Sequence, residues 1–146
     1  MIDPKKPLRT AYYNLLNGAL TSNAVPVPVT EDIKTLGSAA TIYVLLSNQS
    51  GSSAGTFQTF DTDESIVIDI VYKAGARANK DIVDGVAAQI IPLVLPSPGN
   101  TGLVSPAGLQ INCVVLTDDK YLTLALNNSN SVVRRLLTFK QHVRQT

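Results

Sequence analysis

The groups in this chain whose types suit them to chemistry are one histidine, one cysteine and two short acidic runs. His142 sits in Lys140-Gln141-His142-Val143-Arg144, near the end of the sequence. A general base needs an orienting partner and a protected pocket, and this surrounding supplies neither, so His142 reads as a surface or interface residue. Cys113 lies between Ile111 and Val115 and reads as a small core hydrophobe, because a thiol reacts only where a neighbouring base or charge lowers its pKa. As the only cysteine it forbids an internal disulfide and a cysteine-based zinc site. Asp61-Thr62-Asp63-Glu64 offers the spaced carboxylates that a hard cation requires, but lacks the glycine and distal glutamate of a calcium loop. It reads as a polar turn ahead of a strand. Asp118-Asp119-Lys120 reads as a hairpin turn. Gly99-Asn100-Thr101-Gly102 lacks the Lys-Ser/Thr and the following helix of a phosphate loop. The expectation is therefore no catalytic residue, no cofactor and no metal, in a protein that is not an enzyme.

Charge distribution carries more information than these motifs. Arg134, Arg135, Lys140 and Arg144 fall near the C-terminus with no acid among them, and Lys5, Lys6 and Arg9 form a second basic group at the other end. The acids Asp61, Asp63, Glu64 and Asp69 cluster between them in sequence. Opposed patches of this kind steer a partner or a neighbouring subunit; the plainer reading is an ordinary solvated surface. The net charge of +1 gives no reason to expect general affinity for nucleic acid or anionic membrane. No zinc finger, helix-turn-helix or basic-aromatic interleaving is present for reading bases.

These residues must be positioned by elements that the patterning predicts. Ile66, Ile68, Ile70 and Tyr72 alternate with Ser65, Val67, Asp69 and Lys73, the two-residue period of a strand with one apolar face. The period then changes: apolar residues at 82, 83, 86, 90, 93 and 94 make one helical stripe, with Asn79 as N-cap, Asp81 in the first turn, and Pro92 and Pro96 to weaken and stop it. An earlier helix is predicted from Pro7 to residue 21, with Leu8, Tyr12, Leu15, Leu16 and Ala19 on one face. Val25-Pro-Val-Pro-Val29 reads as an edge strand or covering segment. Residues 31–38 form a connection, and residues 40–47 a strand buried on both faces. Residues 48–55 read as a flexible Ser/Gly loop, 56–60 as a resumed strand, and 96–108 as a long Pro/Gly loop. Residues 109–117 and 121–126 form a hairpin, and a final strand starts at Val132. The whole is a single α+β domain over residues 1–146: residues 1–7 a polar arm, a mainly antiparallel sheet with two helices packed on it, and two projecting loops at 48–55 and 96–108.

Composition agrees with this scale. A chain of 146 residues is about one domain, and 45% hydrophobic content supports a core. The charged fraction of 16% lies below the roughly 25% typical of soluble domains, as in chains that hide surface in an assembly. No run approaches the length of a membrane span, and MIDPKKPLRT lacks a signal peptide's apolar core, so a cytosolic protein, or one carried in a particle assembled there, is expected.

An N-terminal helix LRTAYYNLLNGAL, the segment VPVPV, a strand TIYVLLS before a Ser/Gly loop, IVIDIVYKAG leading into DIVDGVAAQIIPLV, a hairpin and a final strand RRLLTFKQHV follow in order over nearly the whole chain. This resembles the tail completion (tail terminator) proteins of tailed bacteriophages. The resemblance implies a structural virion protein assembled in the bacterial cytoplasm. Its subunits form a ring, hexameric or higher, at the neck or head–tail junction. The ring joins tail to connector proteins around a channel that DNA crosses without specific binding, and no membrane is involved. The chain departs from the family in its long 96–108 loop and its basic final strand. The candidate interface residues are Lys5, Lys6, Arg9, Ser50, Gly51, Ser52, Ser53, Asn100, Thr101, Arg134, Arg135, Lys140 and Arg144. Two rival readings are a small nucleic-acid-binding module using the basic C-terminal strand and a small α+β enzyme.

Overall fold

A computed structural model describes residues 1–32, 41–75, 79–127 and 129–146. Helix α1 (Lys5–Leu16) is followed by three short strands, β1 (Thr21–Ser22), β2 (Val25–Pro26) and β3 (Val29–Thr30). Then come β4 (Ile42–Ser53), β5 (Asp61–Lys73), helix α2 (Asp81–Val94), β6 (Leu109–Asn127) and β7 (Asn130–Gln145). β1 and β2 pair as a small antiparallel ribbon, and the main sheet has the order β3-β4-β5-β7-β6. Every pairing in it is antiparallel except the two-residue contact of β3 with β4. The fold is α+β, with the helices packed on one face of the sheet.

That face carries the apolar residues read from the β5 alternation. Ile66, Ile68 and Ile70 of β5, Val44 and Leu46 of β4, and Val133, Leu137 and Phe139 of β7 are buried against Leu8, Tyr12 and Leu16 of α1 and Val83, Val86 and Ile90 of α2. The Tyr12 hydroxyl donates to Gln141 Oε1 at 2.7 Å, and Gln141 Nε2 donates to the Glu64 carbonyl at 2.9 Å. A buried phenol thus has its partner beneath the helix.

Local boundaries differ from the sequence reading where a neighbour overrides composition. α1 ends at Leu16 rather than 21, because Gly18 takes φ +78° and the chain turns into β1. α2 starts at Asp81, with Asn79 Oδ1 accepting the Asp81 amide at 2.8 Å, runs through Pro92 in its last turn, and stops at Val94. Its Gly85 is exposed, and a Cβ there would meet nothing within 4 Å. We expect Gly85→Ala to stabilise the protein by about 0.5–1 kcal/mol, read as a higher urea midpoint with unchanged slope.

The expected loop at 48–55 is instead the second half of β4, which runs to Ser53 and pairs with residues 62–66 of β5. The expected strand at 56–60 is a tight turn closed by the Thr56–Thr59 bridge. The acidic run at 61–64 is not a turn but the start of β5. The expected turn at Asp118-Asp119-Lys120 lies inside β6, a single strand of 19 residues that pairs with β7 throughout; the hairpin turns beyond Asn127. Cys113 is exposed, not in the core: it sits in a bulge of β6 with φ +52°. Its extra residue breaks the alternation that points Ile111 inward. The predicted connection at 31–38 falls mostly on residues outside the described ones.

Candidate functional site

The register of β5 against β7 decides what the charged clusters do. Asp61 pairs with Arg144 and Asp63 with His142 across the two strands. Acids and bases that are far apart in sequence therefore stand side by side. Arg134 holds Asp69 through Nε at 3.1 Å and through a very short contact of its terminal nitrogen, and Asp69 is 1% exposed. Arg135 makes a two-pronged contact with Asp119, at 2.9 and 2.7 Å, and reaches Asp84 on α2 at 3.0 Å. Tyr121 joins this knot, donating to Asp84 at 2.5 Å with the ammonium of Lys80 4.5 Å from its ring centre. The bond from Arg135 holds the Asp119 carboxyl below the ordinary carboxylate range.

Lys140 approaches Asp63 at 3.8 Å, and Arg144 approaches Asp61 at 3.4 Å. His142 Nδ1 lies 3.0 Å from Asp63 and its Nε2 3.4 Å from Asp61, so both ring nitrogens face carboxylates. The bond from His142, and after it the charge of Lys140, lower the Asp63 carboxyl. At the other end Arg9 pairs with Glu31 at 2.9 Å and donates to Gln49 at 2.7 Å. Among the described residues, the basic candidates other than Lys6 thus meet acids of their own chain.

Glu64 is the odd member. It is 2% exposed, its Oε2 has no hydrogen bond among the described residues, and Lys5 Nζ stands 3.8 Å away. Gly51 on β4 leaves the space that this carboxylate occupies; a Cβ there would collide with it. Burial raises the Glu64 pKa, and the nearby Lys5 offsets part of the rise. A carboxyl raised in the folded state favours folding below its unfolded pKa and loses that contribution as pH rises through the folded value. Glu64→Gln is therefore expected to raise the melting temperature at pH 7 and to change it little at pH 4, measured by thermal unfolding at the two pH values.

The remaining predicted interface residues are placed as follows. The Ser50 hydroxyl meets that of Ser65 at 2.5 Å, and residues 50–53 are exposed along β4. Asn100 donates to Ser97 at 2.7 Å, and the Thr101 hydroxyl donates to the Val94 carbonyl at 2.9 Å, so both tie the 96–108 loop to itself and to α2. Lys6 is exposed beside a groove of about 510 Å³ between α1 and this loop, lined by Pro7, Ala11, Leu15, Val104 and Pro106. The loop is anchored by buried Leu103 and covers the helix layer; it does not simply project.

Two features escaped the sequence reading. Phe57, at the tip of the β4–β5 turn, is fully exposed. Residues 117–127 of β6 are exposed along their whole length, including Leu122, Leu124 and Leu126. The alternating leucines were visible in sequence, but the imagined turn at 118–120 concealed that they continue an outer strand.

Among the described residues no group of three or more histidine, cysteine or acidic side chains is placed to hold a metal, and no helix is long and apolar enough to cross a membrane. No protein-family model and no curated protein matches the chain. Among solved structures, the chain is similar to one in the virion of a native gene transfer agent (GTA) particle. The TM-score is 0.74 at 17% identity, over 99% of this chain and 99% of that one. A match over both full lengths means that the α+β arrangement of helices and sheet is shared as a whole.

Proposed function

We propose that this chain is a structural protein of a phage-like virion, and that within it the chain forms a ring, hexameric or higher, at the neck or head–tail junction. The observation that carries the reading is the end-to-end likeness to a chain of a gene transfer agent virion. The resemblance of the sequence to tail completion proteins supports the finer placement. In this role the ring joins tail and connector proteins, DNA crosses its channel without specific binding, and assembly takes place in the bacterial cytoplasm.

The ion pairs favour this over a nucleic-acid-binding module. Arg134 and Arg135 have carboxylate partners in their own chain, so a phosphate must compete with a pair already made. DNA binding at low salt with a steep salt dependence would support the rival. The direct test is to probe purified particles for the protein with a specific antibody by immuno-electron microscopy, together with native mass and negative-stain images of the isolated protein. Label at one end of the particle, or rings with a central hole, supports the proposal. Particles that infect normally without the protein would overturn it.

A further inference from the structure

We propose that copies of this chain join edge to edge, residues 117–127 of β6 in one copy pairing antiparallel with residues 48–53 of β4 in the next. This rests on the ring reading and names the surface that makes the ring.

Among the described residues these two stretches are the open edges of the main sheet: β6 is bonded to β7 on one side only, and β3 covers β4 only at Val44 and Leu45. Among the described residues, neither stretch has a backbone hydrogen bond to anything outside its own hairpin. Long open edges are normally guarded by unpaired lysines or by proline. Residues 117–127 contain no proline, and their one lysine, Lys120, is held by Asp118 at 3.6 Å. Asp119 is neutralised by Arg135. The opposing stretch Asn-Gln-Ser-Gly-Ser-Ser carries no charge at all. Two neutral edges meet without like-charge repulsion, and Leu122, Leu124 and Leu126, 41, 45 and 66% exposed, gain cover. Pairing with the leucines covered buries on the order of 500 Å² on each copy, or about 1,000 Å² per contact, the lower bound for a biological interface, and a closed ring repeats that contact on both sides of every subunit.

Direction also fits a closed ring. Three successive antiparallel pairings make β6 run opposite to β4. A copy placed beside another in the same orientation therefore meets it antiparallel, the heterologous contact from which rings close. Leu122 stands level with Arg134, Val71 and Tyr43 across the sheet, whereas the free part of β4 centres near Gly51. That offset is about seven residues, or about 23 Å along the strands. Where the contact is made, β4-β5-β7-β6 is four strands or about 19 Å wide, so this stagger tilts the strands by about 50°, steeper than in most closed barrels.

The test is disulfide trapping in a Cys113→Ser background. Leu122→Cys with Ser50→Cys, and separately with Ser52→Cys to allow for register, are oxidised gently in rings or in particles that incorporate the protein. A ladder of covalent multimers ending at the ring's subunit number is expected from one of the pairs. Rings seen by negative stain that give no ladder with either pair would overturn the edge assignment while leaving the ring reading intact. Disulfide dimers from Leu124→Cys alone would overturn it too, by showing two β6 edges paired about a two-fold axis. Absence of rings and of the protein from particles removes both proposals. The double variant Leu122→Lys/Leu124→Lys alters only exposed side chains, so it is expected to keep its circular dichroism and melting temperature while losing ring formation at least tenfold in the concentration required. Unchanged assembly would also overturn the proposal.

Discussion

Arg134→Met is expected to cost about 3 kcal/mol of stability, far more than removing its partner. Asp69 is 1% exposed on the open face of β5, and the guanidinium supplies its charge and its hydrogen bonds. Removing one member of a buried pair leaves the other as an uncompensated charge, which costs about 3–5 kcal/mol. The Arg134 side chain is 30% exposed, so Asp69→Leu leaves a cation that turns into water, at a cost of about 1 kcal/mol. The double variant Arg134→Met/Asp69→Leu places two apolar groups beside Tyr43 and Val71, which are buried on the same face, and is expected to recover most of the loss. Urea unfolding of the four proteins gives the coupling directly. Equal losses from the two single variants would show that the pair is a solvated surface contact after all.

The same pair shows where sequence reading reached its limit. The strand at 66–72 and the stripe of α2 were legible because a half-buried element writes its own period into the chain. The expected basic and acidic patches were real clusters in sequence, but their meaning depends on register: a one-residue slip of β7 on β5 would put every arginine on the other face. Nothing local to Arg134 or Asp69 reveals that they are neighbours. β6 was hidden for a related reason. Residues 117–127 are exposed on both faces, so burial imposes no alternation, and Asp118-Asp119-Lys120 carries the composition of a turn. Arg135, from the adjacent strand, makes Asp119 acceptable in mid-strand. The Ser/Gly composition at 48–53 likewise suggested mobility, while pairing with β5 and the seat of Glu64 against Gly51 make it a strand. The structure places the candidate interface residues in different settings. Residues 50–53 lie on an open edge, the arginines are mostly committed within the chain, and the exposed Leu122, Leu124 and Leu126 lie outside the set.

Gly102→Ala is expected to cost about 4 kcal/mol by forcing the 96–108 loop off α2, and it tests whether that loop is a fixed part of the fold. Gly102 does not have a positive φ, but its Cα lies against the end of α2: a Cβ would land on the Leu93 carbonyl oxygen and crowd Leu15 Cδ1 at 3.4 Å. Backbone oxygen at a helix end has little freedom to retreat, since Leu95 still donates to Ile91 at 2.8 Å there. The loop must lift instead. It then loses the Gly102 amide bond to Val94 at 3.1 Å, the Thr101 hydroxyl bond to the same carbonyl, and the burial of Leu103. Loss of one buried leucine is worth about 1.5–3 kcal/mol, and each hydrogen bond about 1 kcal/mol. For a domain of this size that corresponds to a melting temperature lower by roughly 8–16 °C. Gly99 is the control, since it takes φ +77° with open space around it. Gly99→Ala carries only the left-handed backbone cost of about 1 kcal/mol. A loop that merely projects would rank the two substitutions the other way, with the positive-φ glycine the more sensitive. A loop docked on α2 makes Gly102 the sensitive one, and its loss opens the groove beside α1 along with it.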